Sequence, residues 1–338
     1  MPLVILRVVE HNITKSIGLG FAAALIAAAL FGLVSTIAKP ILTTVNPFLL
    51  SSLVYLISAI FFTAIIALRN NKSSSASPTS LQPKSSFHKR RYYYLIVITT
   101  SIIGAAIAPA MFFFGLSQTT ASDTSLLSNG ETIFSIIIAI LFFKEKLKPL
   151  GYLAALMVLA GLVVVTTNLQ FHSSFLKINS GNILVLGATA LWGLDNNICR
   201  IITYQMDIAR LVQLKSVIGG SILLVFAIFV LHTPLSISIT QIPQIVVLGA
   251  VGFGTSLFFF LISLKRIGIV RSVLILSLSS VFGLGFASLL LGELISIHQI
   301  IAIASMIAGI YLINIEKKEN AKTNNPITSI KETDFKYK

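Results

Sequence analysis

The chain has 338 residues, 55% of them hydrophobic and only 11% charged, with a mean hydropathy of +0.92. A soluble domain carries charge on about a quarter of its residues, so a water-soluble fold is excluded at the outset. One cysteine, Cys199, excludes an intrachain disulfide and a multi-thiolate metal site, and the net charge of +14 takes its meaning from where the charges lie.

Residues 1–17 hold a short apolar run, Pro2 to Val9, stopped by Glu10 and His11. The run is too short for a signal-peptide core and reads as a cytoplasmic N-terminal tail. Beyond it, apolar stretches of about 20 residues, the length that crosses a hydrocarbon core, recur to near the C-terminus. They fall at 18–38, 46–68, 93–116, 122–143, 149–167, 181–203, 208–231, 243–264, 269–291 and 297–315. The pattern predicts an all-α polytopic membrane protein of about ten transmembrane helices. Two segments are polar: a loop at 69–92, rich in Ser, Pro, Asn and Lys, and a tail at 316–338. Neither has the composition to build a core of its own.

With the N-terminus inside, all of the 25 basic residues except Lys39, Lys177 and Lys215 fall on the cytoplasmic side. The positive-inside rule therefore places both termini in the cytoplasm of a cell-membrane protein. On this reading the positive charge is a consequence of topology, and nucleic acid is not a partner.

The two halves of the chain resemble each other. At an offset of 161, Ala29-Leu30-Phe31-Gly32-Leu33 lies on Ala190-Leu191-Trp192-Gly193-Leu194, Ile37 on Ile198 and Lys39 on Arg200. At an offset of 148, Phe134 lies on Phe282, Glu145 on Glu293 and Ala160-Gly161 on Ala308-Gly309. The change of offset matches the longer loop at 69–92. Residues 18–168 and 181–315 are thus two five-helix repeats, and an odd helix count inverts the second in the membrane. Inverted repeats around a midplane site are the mark of secondary transporters that expose the site to each face in turn. A channel, or a non-transporting membrane scaffold, is the alternative.

The fourth span of each half carries a motif. The first reads Ala121-Ser122 through Leu126-Leu127, then Glu131-Thr132, Phe134 and Lys144-Glu145; the second reads Ser279-Ser280, Phe282 and Gly292-Glu293. With the repeat and the helix count, this resembles the EamA-like members of the drug/metabolite transporter superfamily, from about Gly18 to Asn314. Thr132 and Ser280 stand where that family often has proline, and Ser279 stands where the first half has Glu131. The resemblance implies a carrier of small metabolites, often an exporter of amino acids or similar solutes.

Charge inside a span costs at least about 2.5–3.5 kcal/mol, so the residues that bear it are candidates for function. Glu131 lies near the middle of span 4, with Asn129 two residues earlier and Asp123 nearer its outer end. It is either a proton-titrating or amine-binding group facing a cavity, or a structural group bonded to neighbouring Ser and Thr. Span 6 carries Asp195, Asn196 and Asn197 beside the sole tryptophan, Trp192, and span 7 carries Lys215. Measured from a hairpin tip near residue 206, Asp195 and Lys215 differ in depth by only about 3 Å at 1.5 Å per residue. That predicts an ion pair, as a structural neutralisation or as a gate. Glu131, Asn129, Trp192, Asp195, Asn196 and Lys215 are the candidate substrate-binding or coupling residues.

The remaining features read more blandly. Phe112 to Phe114 and Phe258 to Phe260 are cavity walls or packing bulk, and Tyr92 to Tyr94 an interfacial belt. Gly249, Gly252, Gly254, Gly283, Gly285 and the alanines from Ala22 to Ala29 predict close helix packing. Pro109 predicts a kink whose freed carbonyl is satisfied by neighbours. Glu145 sits among Lys144, Lys146 and Lys148 as a solvated salt bridge, while Glu293 is open to a gate or helix-end role. His11, His88, His172, His232 and His298 fall in tails and loops, and neither a zincin motif nor a nucleophile elbow nor a P-loop occurs. The sequence thus points away from an enzyme and from any metal or cofactor. Motion is driven by the solute's own gradient, by exchange, or by a coupled ion or proton.

Overall fold

A backbone crossing hydrocarbon has no water to pair its N–H and C=O groups, so apolar runs of this length close their hydrogen bonds within themselves. The computed structural model describes residues 2–73, 87–143, 149–167 and 180–323, and among them there is no strand. The helices are α1 Pro2–Ile41, α2 Pro47–Ser73, α3 Phe87–Ile102, α4 Ala108–Ser117, α5 Ala121–Leu127, α6 Gly130–Phe143 and α7 Pro149–Thr167. They continue with α8 Ser180–Ile202, α9 Ile208–Val225, α10 Ile242–Val247, α11 Ser256–Ile267, α12 Ile269–Leu276, α13 Ser279–Leu291 and α14 Ile297–Thr323.

Several of these are parts of longer rods. A π-helical turn at Ile103–Ile107 joins α3 to α4, another at Leu248–Thr255 joins α10 to α11, and Phe226–Val230 extends α9. Among the described residues, seven rods are long and apolar enough to cross a membrane: Ile17–Ile41, Pro47–Asn71, Arg91–Ser117, Ala121–Phe142, Ile208–Val230, Ile239–Ile267 and Ile269–Leu291. That is fewer than the ten expected. α8 has the length, but Asn182, Asp195, Asn196, Asn197 and Arg200 lower its hydropathy, and the apolar part of α14, Ile297–Gly309, is short. Helices also overrun the expected spans, since α1 begins at Pro2, α2 runs to Ser73, α3 starts at Phe87 and α14 reaches Thr323. His11, His88 and His298 therefore lie on helices rather than in tails or loops. Lys144, Glu145, Lys146, Lys148, His172, Lys177 and the tail past residue 323 lie outside the described residues.

The two halves interlock. α1 packs on α11 and α13, α8 packs on α4 and α6, α2 pairs with α9, and α7 with α14. Under the two sequence offsets α1–α13 maps onto α8–α6 and α1–α11 onto α8–α4, while the other two pairs map onto themselves. Glycines permit the closest contacts: a Cβ on Gly32 would lie 2.8 Å from Cβ of Phe282, and a Cβ on its counterpart Gly193 would lie 2.7 Å from Cβ of Phe134. Gly249 and Gly254 press on the Val54 carbonyl and the Ser58 hydroxyl. Gly285 faces open space, so the expected close packing does not hold there.

The fourth span breaks in both halves although neither has the proline. Thr132 N bonds to Asn129 O at 3.0 Å, and Ser280 N bonds to Ser277 O at 3.2 Å, tight turns that interrupt the α ladder. Side chains hold these turns by bonding back to the chain: Ser128 Oγ to Thr124 O, Asn129 Nδ2 to Leu126 O, and Ser277 Oγ to Leu274 O. Such back-bonding competes with the backbone ladder and bends helices, which is what proline would otherwise do.

The ends of the bundle differ in charge. One gathers the turns at 42–46, 118–120 and 231–241, tied by Gln241 Nε2 to Thr44 Oγ1 at 2.6 Å and Ser180 Oγ to Gln118 Oε1 at 2.6 Å. It carries Lys39 and Glu293. The opposite end carries Arg69, Arg91, Arg200, Arg210, Lys265, Arg266 and Arg271, with Arg69 bridged to Asp207 at 3.0 Å and the Tyr204 hydroxyl bonded to Lys265 O.

Candidate functional site

Pro109 sets the site's geometry from a distance. In the π-helical turn before it, Ala108 N–H bonds back to Ile103 O, and the next N–H, which Gly104 O would receive, is missing because residue 109 is proline. The freed Gly104 carbonyl accepts instead from Trp192 Nε1 at 3.0 Å and from the Tyr55 hydroxyl at 3.2 Å. Gly104 also has no side chain to obstruct Asp195, whose carboxylate occupies the space a Cβ would need. The neighbours thus satisfy the carbonyl as the sequence suggests, and in doing so they join α2, the α3–α4 rod and α8.

Asp195 Oδ2 lies 2.5 Å from Nζ of Lys215, with the two side chains 5% and 1% exposed. The ion pair inferred from helix depth is therefore formed, and it is buried. Lys215 also donates to Cys199 Sγ at 3.2 Å, and the thiol faces Asp195 Oδ1 at 3.5 Å, one turn along α8. On the other side of α8, Asn196 Nδ2 donates to Glu131 Oε1 at 2.6 Å and lies 3.3 Å from Ser135 Oγ. Asn197 faces away from the cavity, bonding to Ser135 O and Gly193 O.

These groups border a narrow cavity of about 50 Å³ between the repeats. Glu131, Trp192, Asp195, Asn196 and Lys215 all line it. Asn129 does not: its amide turns to Met306 Sδ at 3.0 Å, and helical residues two apart do not share a face. Toward the Lys39 end the cavity is roofed by rings. Phe31 meets Trp192 edge-on at 5.8 Å and Phe253 at 5.8 Å, and Phe112 packs on Trp192 at 5.1 Å. Toward the opposite end Phe260, Leu257 and Leu276 form the floor. Behind them lies an apolar cluster that includes Phe62, Leu211, Leu261 and Leu264. The aromatic triplets therefore divide: Phe112, Phe113 and Phe260 are buried, while Phe114 is turned outward.

Sequence inspection alone does not single out Tyr55, Phe253, Ser256 or Gly104 as wall residues. A signal existed for the last, since Gly104 aligns with Gly252 at the offset of 148 and both lie in the π-helical turn of the third rod of their half. Tyr55 and Phe253 enter only through contacts between halves.

The family model of the EamA-like transporter family matches residues 18–167 and 179–315. A protein described as an uncharacterized transporter, from Methanothermobacter thermautotrophicus strain Delta H, is 29% identical over 207 residues. The match covers 61% of this chain and 60% of that protein, so it spans less than two thirds of the relative's length. A protein of known crystal structure superposes with a TM-score of 0.66 at 18% identity, over 90% of this chain and 98% of its own, which shows a shared fold.

Proposed function

This chain belongs to the EamA-like transporter family and is an integral membrane protein; on that premise we propose that it is a secondary transporter working by alternating access around the Glu131 cavity. One observation carries the reading. A carboxylate, Glu131, lies buried between the repeats beside a buried ion pair, with apolar layers toward both ends of the bundle.

The chemistry of the cavity favours an amine-bearing, amino-acid-like solute. If all three groups are ionised, Glu131, Asp195 and Lys215 leave one negative charge in excess, which an ammonium group would neutralise. Trp192, Phe31 and Phe253 offer faces to a cation or an apolar body. At about 50 Å³ the cavity admits water but no metabolite, which supports a cycle in which the repeats part to load the solute. Asn196, bonded to Glu131 from the other repeat, is placed to sense whether that carboxylate is engaged.

In this reading residues 18–168 and 181–315 are inverted five-helix repeats, and α7, α8 and α14 complete ten spans. The arginine-bearing end faces the cytoplasm with both termini, the membrane is the plasma membrane, and the direction is export. Coupling runs through a proton or another ion, or through exchange.

Counterflow tests the proposal. Purified protein in liposomes preloaded with unlabelled amino acids should accumulate a labelled one transiently and saturably. Flux that rises linearly with concentration, or none for any amine-bearing solute tried, would overturn it.

A further inference from the structure

The turn between α4 and α5 is gripped from several helices at once. At its start, Lys39 Nζ from α1 donates to Leu116 O at 2.9 Å and to Ser117 O at 3.4 Å, and it also reaches Thr119 O. At its end, the Glu293 carboxylate, just past α13, accepts from Ala121 N at 3.1 Å and Ser122 N at 2.9 Å, and from the Ser122 hydroxyl. Gln299 of α14 donates to Asp123 Oδ1 at 3.3 Å. The polarity is matched at both points: a cation meets the carbonyls that end one helix, and an anion meets the N–H groups that begin the next.

This grip bears on the cavity. Phe112 lies one turn before Leu116 and packs on Trp192, while Phe113 packs on Phe253 at 5.6 Å, so the end of α4 carries part of the aromatic roof. α1 and α4 belong to the first repeat and Glu293 to the second. The Glu293 bonds thus tie the second repeat to the turn that carries part of the roof, so parting the repeats at this end would draw the α13–α14 connection off the turn and break them.

We propose that Lys39 and Glu293 form the clasp of a gate at this end, holding the α4–α5 turn and through it the roof closed. The assignment rests on the alternating-access reading above. Neither residue touches solute: both act through the turn, as positioning residues.

Thiol accessibility tests it without knowledge of the substrate. In a Cys199→Ser background, Ser256→Cys places a thiol on the cavity wall, and a charged, membrane-impermeant methanethiosulfonate is applied to right-side-out and inside-out vesicles in turn. Glu293→Gln and Lys39→Gln should each raise modification from the Lys39 face about tenfold relative to the opposite face, because loss of the clasp shifts the population toward the state open there. A lower thermal midpoint with an unchanged ratio between faces would reduce both residues to helix caps and overturn the gate. A thiol at position 256 that reacts from neither face in the parent or in either variant would sink alternating access itself, and the clasp with it.

Discussion

At equivalent positions the two repeats share their packing and differ in their chemistry. Gly32 and Gly193 make the same backbone-to-Phe contact in each half. Thr36 Oγ1 and Asn197 Nδ2, equivalent at the offset of 161, both donate to the fourth span of the other half, at Gly283 O and Ser135 O. Where the second repeat has Asp195 and Lys215, however, the first has Val34 and Val54, both buried in the core. Where the first repeat has Glu131, the second has Ser279. Duplicated packing gives two similar halves, while the unduplicated charges give a cavity with one polarity.

The sharpest test gives the second repeat the residues of the first. Lys215→Val alone leaves Asp195 buried and unpaired and should destabilise the protein by about 3–5 kcal/mol, seen as loss of folded protein in detergent. The double variant Asp195→Val, Lys215→Val recreates the Val34–Val54 pair, and hydrophobic replacement of a buried pair is often neutral or stabilising. It should recover the parent thermal midpoint yet fail to transport. A double variant as unstable as the single one would break the equivalence of the two sites.

The other charge difference makes a smaller prediction. Glu131→Gln keeps the shape and a hydrogen bond to Asn196 but removes the charge. An ammonium held by a charge-assisted bond to Glu131 would lose about 1.5–3 kcal/mol, so transport should fall roughly tenfold or more, with the midpoint little changed. Ser279→Ala, at the equivalent place, should leave transport near the parent rate. Equal losses in the two variants would deny Glu131 its separate role.

The duplicated frame was legible in the sequence because it rests on local rules. Apolar runs of membrane length mark the helices, and the offsets of 161 and 148 mark the halves. The Asp195–Lys215 pair was legible for the same reason: a short turn, 203–207, joins α8 to α9, so helical rise alone fixes their relative depth. The rest depends on contacts between halves or on helix register. Asn129 and Glu131, two residues apart, fall on different faces of the fourth span, and only the packed neighbours, Met306 for one and Asn196 for the other, show which of them meets the cavity. Tyr55 and Phe253 reach the site only because the repeats interlock, and Glu293 meets the α5 start 171–172 residues earlier in the chain. No periodicity announces such partners.

The glycines of the two π-helical turns separate packing from chemistry further. A Cβ at position 104 would enter the Asp195 carboxylate, whereas one at position 252 would lie 3.2 Å from Cγ2 of Val34, the residue equivalent to Asp195. Gly104→Ala should therefore cost about 1–3 kcal/mol of stability and most of the transport, because the buried ion pair cannot yield. Gly252→Ala should cost less than about 1 kcal/mol, since a valine methyl needs to give by only a few tenths of an ångström. Thermal midpoints of the two variants measured side by side decide the matter. The reverse order would mean that the Asp195 side chain is free to move.

The smallest expected effect compares the two helix caps at the second span of each repeat. Asn46 Oδ1 accepts from Phe48 N at 2.9 Å to start α2, and Asp207 Oδ1, its equivalent, accepts from Arg210 N at 3.2 Å to start α9. Only the second is charged, and it also bridges Arg69, with the two side chains 45% and 55% exposed. Losing an N-cap costs about 1 kcal/mol, and an exposed salt bridge adds between about 0 and 1 kcal/mol that salt screens away. Asn46→Ala and Asp207→Ala should thus differ measurably at low ionic strength and converge at high salt, with Arg69→Ala reproducing the difference. If the gap between the two cap variants survives in high salt, the charge on Asp207 acts through something other than Arg69. The second repeat would then be electrostatically distinct at its surface as well as at its core.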